Sequence, residues 1–114
     1  MSVYLFEKID TTIRHERLYA NVNLMREDVM RRFGVSRHLL NELLNSYTDA
    51  RSFPQYINAI RIEEAHELII RHPQMTLADV ALRVGFTAPN LREQFKHKYG
   101  MTPQKFKAKI QQKQ

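Results

Sequence analysis

Apolar residues along this chain recur every three or four positions and never alternate over a strand-length run, a pattern that predicts helices throughout. The longest stripe lies mid-chain, where Phe53, Tyr56, Ile57, Ile60, Ala65, Leu68 and Ile69 predict one helix across the stretch from Ser52 to Pro73. Ser52 and Gln55 stand in capping-box register at its start, a hydroxyl for the third amide and a side chain reaching back. Pro54 falls in the first turn, where a missing N–H does little harm. Pro73 stops the helix at Arg71 or His72. A rod of about 20 residues rising about 1.5 Å each spans roughly 30 Å.

Two copies of one pattern flank this rod. A shift of 51 positions, without a gap, brings Asp28 onto Asp79, Val29 onto Val80, Arg32 onto Arg83 and Gly34 onto Gly85. Leu40 then falls on Leu91 and Glu42 on Glu93, with Phe33/Val84, Val35/Phe86, Ser36/Thr87 and Leu44/Phe95 as like-for-like exchanges. A helical solenoid needs about three or more units, so two copies point to paired lobes instead. Each copy predicts a short helix, a glycine suited to a left-handed turn, and a second helix opened by the hydroxyl of Ser36 or Thr87. That is the helix-turn-helix order. The first short helix is expected over about Leu24–Phe33, acidic at its start and basic at its end as the helix dipole prefers. Met25 cannot cap it, which leaves Asn23; Thr76 is the expected cap in the second copy.

Leu5, Phe6, Ile9 and Ile13 predict a first helix over Val3–Leu18, covering the first lobe's core. Thr102, with Pro103 behind it, predicts a last helix docked by Phe106 and Ile110, leaving Lys105, Lys107 and Lys109 in solvent. The predicted fold is all-α: a first lobe over residues 1–50, a linker helix over 51–73 and a second lobe over 74–114.

At about 100° per residue, Leu40, Leu43 and Leu44 form the buried side of the first lobe's second helix. Its opposite arc holds His38, Asn41, Glu42 and Asn45. In the second lobe Leu91, Phe95 and Tyr99 are buried. The opposite arc holds Pro89, Asn90, Glu93, Lys96 and His97, with Arg92 and Lys98 at its edges. Asn and Arg can make paired hydrogen bonds to base edges, Glu can accept from cytosine, and lysines suit phosphate.

The charge distribution says more than the total. The chain carries a formal +6, yet residues 1–50 hold seven Lys or Arg against seven Asp or Glu, and residues 51–114 hold eleven against five. Between Arg92 and Lys113 the count is seven basic to one acidic. A field of that kind attracts polyanions, nucleic acid first and anionic lipid second. The rod is also close to one turn of B-DNA, about 34 Å.

Val84-Gly85-Phe86, Phe95-Lys96, Tyr99-Gly100 and Thr102-Pro103 with Phe106 resemble the signature of the DNA-binding domain of AraC/XylS-type transcription regulators. Gly34-Val35-Ser36 with Leu40 is similar to the family's first motif. Phe53, Tyr56, Ile57, Arg61, Ile62, Ala65, Leu68 and Ile69 are similar to its linker helix. The resemblance runs from about Leu18 to Lys109. It implies two recognition helices entering successive major grooves on one face of double-stranded DNA. The implied contact residues are Ser36, Arg37, His38, Asn41, Glu42 and Asn45 in the first lobe. In the second they are Thr87, Ala88, Pro89, Asn90, Arg92, Glu93, Lys96, His97 and Lys98. Many family members carry Arg where Glu42 and Glu93 stand and Lys where Asn45 stands, so base preferences do not carry over. The turn after Phe86 is one residue shorter than is usual in the family.

RNA polymerase, or a fused sensing or dimerising domain, is the further partner that the resemblance implies. No cofactor is expected. None of the five histidines pairs with another at zinc-ligand spacing, so no metal site is expected and the histidines read as solvated or phosphate-facing. Scattered glycines and the lack of any converging acid, base and nucleophile argue against an enzyme. With no cysteine, no disulfide framework is possible, and with no apolar run approaching about 18 residues, no membrane span is expected; the cytoplasm is the expected compartment. A helical interaction or dimerisation module is the alternative from another class. It would account for the amphipathic helices, but for neither the repeated glycine turn nor the one-sided charge.

Overall fold

The computed structural model describes residues 3–113. Among them the chain is all-helical, with seven α-helices, one short 3-10 turn and no strand. In order these are α1 (Val3–His15), α2 (Arg26–Phe33), α3 (Arg37–Tyr47), α4 (Phe53–Arg71), α5 (Leu77–Val84), α6 (Ala88–Tyr99) and α7 (Pro103–Gln112). The chain divides into two compact units, Met1–Ile60 and Arg61–Gln114. The division falls inside α4, whose N-terminal half belongs to the first unit and whose C-terminal half to the second.

In the first unit, Ile9 and Ile13 of α1, Val29 of α2, Leu40, Leu43 and Leu44 of α3 and Ile57 and Ile60 of α4 are each at most 2% exposed. Full burial of such side chains contributes about 1.5–3 kcal/mol each before the entropy cost of ordering them. Phe6 stacks on Tyr47 at 5.3 Å, and the Tyr56 hydroxyl donates to Asp10 at 2.6 Å, which ties α4 to α1. Helix α1 stops at His15 rather than Leu18. Arg17 takes a left-handed backbone, φ 56°, which a helix cannot contain, and a 3-10 turn, Leu18–Ala20, follows. Arg32 of α2 grips Glu16 through two hydrogen bonds of 2.7 and 2.6 Å. These bonds hold the Glu16 carboxyl below the usual carboxylate range. The folded carboxyl therefore titrates lower than the unfolded one. The bridge is in force at neutral pH and is lost as the pH falls through the folded value.

Helix α2 begins two residues later than expected, and Asn23 does not cap it. The N-cap is Met25, whose own side chain offers nothing; instead the Asp28 carboxylate reaches back to accept from the Met25 N–H at 2.9 Å. Helix α4 starts at Phe53 with Ser52 Oγ accepting from the Gln55 N–H at 3.2 Å. Gln55 reaches back one residue further than a capping box requires, accepting from the Arg51 N–H at 2.9 Å.

In the second unit Val80, Val84, Leu91, Phe95 and Ile69 are each at most 1% exposed. His66 of α4 is half-buried rather than fully solvated. Its ring stacks on Tyr99 at 4.5 Å and Phe106 at 4.7 Å, with Phe95 at 6.1 Å, so it belongs to an aromatic cluster joining α4, α6 and α7. Burial, and then the charge of Glu63, raise the Tyr99 phenol above its ordinary value. Lys107 is likewise not left in solvent. Its Nζ donates to the Met75 carbonyl at 2.8 Å, so α7 is held to the loop before α5 by a charged hydrogen bond. Gln111 adds a second tie to the Pro73 carbonyl at 3.1 Å.

Candidate nucleic-acid interface

Both units build the same helix-turn-helix by the same chemistry. Gly34 ends α2 at φ 64°, ψ 35°, and Gly85 ends α5 at φ 87°, ψ 19°. A side chain at either position would be strained, because L-residues pay for the left-handed region. The residue after each glycine then closes the helix end: Val35 N–H bonds to the Met30 carbonyl at 3.1 Å, and Phe86 N–H to the Ala81 carbonyl at 2.9 Å. Val35 and Phe86 turn inward, 8% and 7% exposed, anchoring the turn to its core. One residue on, Ser36 Oγ accepts from the Leu39 N–H at 3.0 Å and Thr87 Oγ1 from the Asn90 N–H at 3.2 Å. The two turns have equal length, so α3 and α6 start in the same register relative to α2 and α5.

These starts determine which side chains each second helix leaves in solvent. Leu40, Leu43 and Leu44 bury one side of α3, and Leu91 and Phe95 bury one side of α6. On α3 and its cap, Ser36, Arg37, His38, Asn41, Glu42 and Asn45 are all exposed. On α6 and its cap, so are Thr87, Ala88, Pro89, Asn90, Arg92, Glu93, Lys96, His97 and Lys98. Gln94, absent from the expected set, is exposed beside them. The arc of α3 carries one ion pair, His38 Nε2 to Glu42 Oε1 at 3.3 Å, which is charged only when the histidine is protonated.

Arg61 stands behind the second turn and was expected only as part of the linker helix. It is 9% exposed, and its guanidinium lies 5.8 Å from the centre of the Phe86 ring. Burial lowers its affinity for the proton. The functional hint in the sequence was its place in the linker pattern; its burial under Phe86 depends on tertiary neighbours.

Among the described residues no group of three His, Cys, Asp or Glu could hold a metal ion, and no helix is long and apolar enough to cross a membrane.

Residues 29–109 match a family described as a helix-turn-helix domain, of the AraC type, and the chain belongs to that family. The family is one of DNA-binding domains of transcription regulators. Three solved structures share the fold. One is the C-terminal domain of the two-component response regulator yesN from Fusobacterium nucleatum, at TM-score 0.73 and 22% identity over 89% of this chain and 95% of that one. The C-terminal domain of AraT, a response regulator from Geobacillus stearothermophilus, aligns at TM-score 0.77 and 23% identity over 91% and 84%. A DNA-binding transcriptional dual regulator from Escherichia coli K-12 aligns at TM-score 0.78 and 22% identity over 94% and 92%. Comparison with curated proteins gives no match.

Proposed function

We propose that this chain binds double-stranded DNA sequence-specifically as the DNA-binding domain of a cytoplasmic AraC-type transcription regulator, with α3 and α6 in successive major grooves on one side of the duplex. One observation carries the reading: each unit holds the same glycine turn and capped second helix, and each second helix leaves its polar arc in solvent. The continuous linker helix α4, 19 residues long, supports it as a spacer. Backbone amides and cations hold phosphates, and a few side chains read base edges. The further partner is RNA polymerase or a sensing or dimerising domain fused to this one.

The two lobes divide the work. The basic second lobe supplies attraction to any duplex, whereas the charge-balanced first lobe mainly selects. Affinity for DNA should therefore fall steeply with salt, with a log–log slope of about −0.9 per phosphate contacted. Lys96→Ala should weaken binding to all sequences alike and flatten that slope by about one unit. Asn41→Ala should relax preference at one base pair by about 1–3 kcal/mol and leave random DNA nearly unaffected. Binding isotherms on a selected and a random duplex at several salt concentrations read both. An equal loss on both duplexes for the two variants would refute the division. No salt-dependent binding at all would refute DNA binding and leave a helical interaction module.

A further inference from the structure

Resting on the reading above, we infer that Glu42 and Glu93 are paired specificity determinants, each accepting a hydrogen bond from the exposed amino group of a cytosine, so that the two lobes read one C·G pair each. Three observations support this. The first is register. Ser36 and Thr87 cap their helices by the same bond to the third amide, and Glu42 and Glu93 each stand six positions beyond the cap. Glutamate therefore occupies the same height and angle on both second helices, opposite stripes anchored by Leu40 and Leu44 in one and Leu91 and Phe95 in the other.

The second is what surrounds that shared glutamate. One position before it the lobes differ, Asn41 against Arg92; three positions after it they differ again, Asn45 against Lys96; four positions before it they differ as His38 against Pro89. Each polar arc thus varies around one common acidic group. Asn favours adenine and Arg favours guanine, so the neighbours read different bases while the glutamates read the same one.

The third is electrostatic. A carboxylate in the middle of an arc that meets a polyanion repels every phosphate, and random DNA gives it nothing in return. Among base edges in the major groove, the amino groups of cytosine and adenine are the donors that a carboxylate, having only acceptors, can pair with. Adenine sets its N7 acceptor beside that amino group, where it opposes the second carboxylate oxygen, and guanine presents only acceptors, so cytosine is favoured. A glutamate at this place therefore lowers affinity for most sequences and discriminates in favour of cytosine, a device built on repulsion as much as attraction. Within α3, His38 Nε2 lies 3.3 Å from Glu42 Oε1, a contact that offsets the repulsion when the histidine is protonated. Glu93 stands instead in the basic lobe, one position after Arg92 and three before Lys96.

The test is selection of bound sequences from a random duplex library by the unmodified chain, Glu42→Gln, Glu93→Gln and the double variant, with thermal melts to check that these exposed substitutions leave folding intact. The unmodified chain should select C·G pairs at two separate positions, with about five- to a hundred-fold discrimination at each. Glutamine pairs with adenine, so each single variant should convert one of the two positions from C to A and leave the other untouched. The double variant should convert both. Both singles should also bind random duplex more tightly than the unmodified chain. Variants that gain affinity for every duplex while selecting an unchanged motif would overturn the inference and make the glutamates plain repulsive charges. A chain that enriches no sequence and binds no duplex even at low salt would overturn the DNA-binding reading itself, a different and recognisable result.

Discussion

Replacing Phe95 with alanine is expected to destabilise the second unit by about 3–5 kcal/mol, the usual cost of deleting a buried aromatic ring. Phe95 is fully buried, and its ring lies 4.7 Å from Tyr99 and 5.4 Å from Phe106, so the cavity would open where α4, α6 and α7 meet. Small domains hold about 5–15 kcal/mol in all, so this single change removes a large share. Phe95→Leu, which retains much of the apolar volume, should cost clearly less. Urea unfolding followed by circular dichroism checks both. Because α6 carries the exposed arc of the second unit, Phe95→Ala should also lower DNA affinity, and part of that loss should be recovered with added stabilising osmolyte.

Arg61 carries the second large expectation. Its guanidinium packs over the Phe86 ring, and Phe86 closes α5 through its bond to the Ala81 carbonyl at 2.9 Å. Arg61→Ala should cost about 2–4 kcal/mol, combining lost packing of the buried stem with a desolvated cation–π contact. Arg61→Lys should not rescue it, because a compact ammonium cannot lie flat on a ring as the planar guanidinium does. Amide hydrogen exchange distinguishes a local effect from a global one. The amides of Gly85 and Phe86, which bond back into α5, should lose protection in both variants before the α6 interior does, since Arg61 supports the turn rather than the helix.

Residues whose chemistry acts within a turn or two of their own position were legible from the sequence. Gly34 and Gly85 ended their helices as left-handed turns, and Ser36, Thr87, Thr76 and Thr102 capped as their hydroxyls and spacing required. Most of the exposed arcs followed from periodicity, because Leu40, Leu44, Leu91 and Phe95 hold the buried side of each helix; on α6 the free side is wider than periodicity marked, with Gln94 exposed and Tyr99 only half-buried. What could not be read depended on distant neighbours. His66 looked like a surface histidine until three aromatic rings from other helices closed on it. Lys107 resembled its neighbours Lys105 and Lys109 until the Met75 carbonyl came within reach. In α4, Ile60, Arg61 and Ile62 are buried in succession, which no single stripe supplies; the helix changes units between Ile60 and Arg61, and each half follows its own core. Met25 failed as a cap by composition, and only the geometry of Asp28 reveals how the amide is satisfied.

Hydroxyl-radical footprinting on a duplex recovered by selection asks most directly whether a stiff spacer lets two matched helices grip one side of the double helix together. Two protected windows, separated by about 10 base pairs and offset as one face of the duplex requires, are expected. Both should survive Asn41→Ala on the same duplex, and both should fade together as salt rises. A single window, or two windows on opposite faces, would contradict simultaneous engagement by α3 and α6.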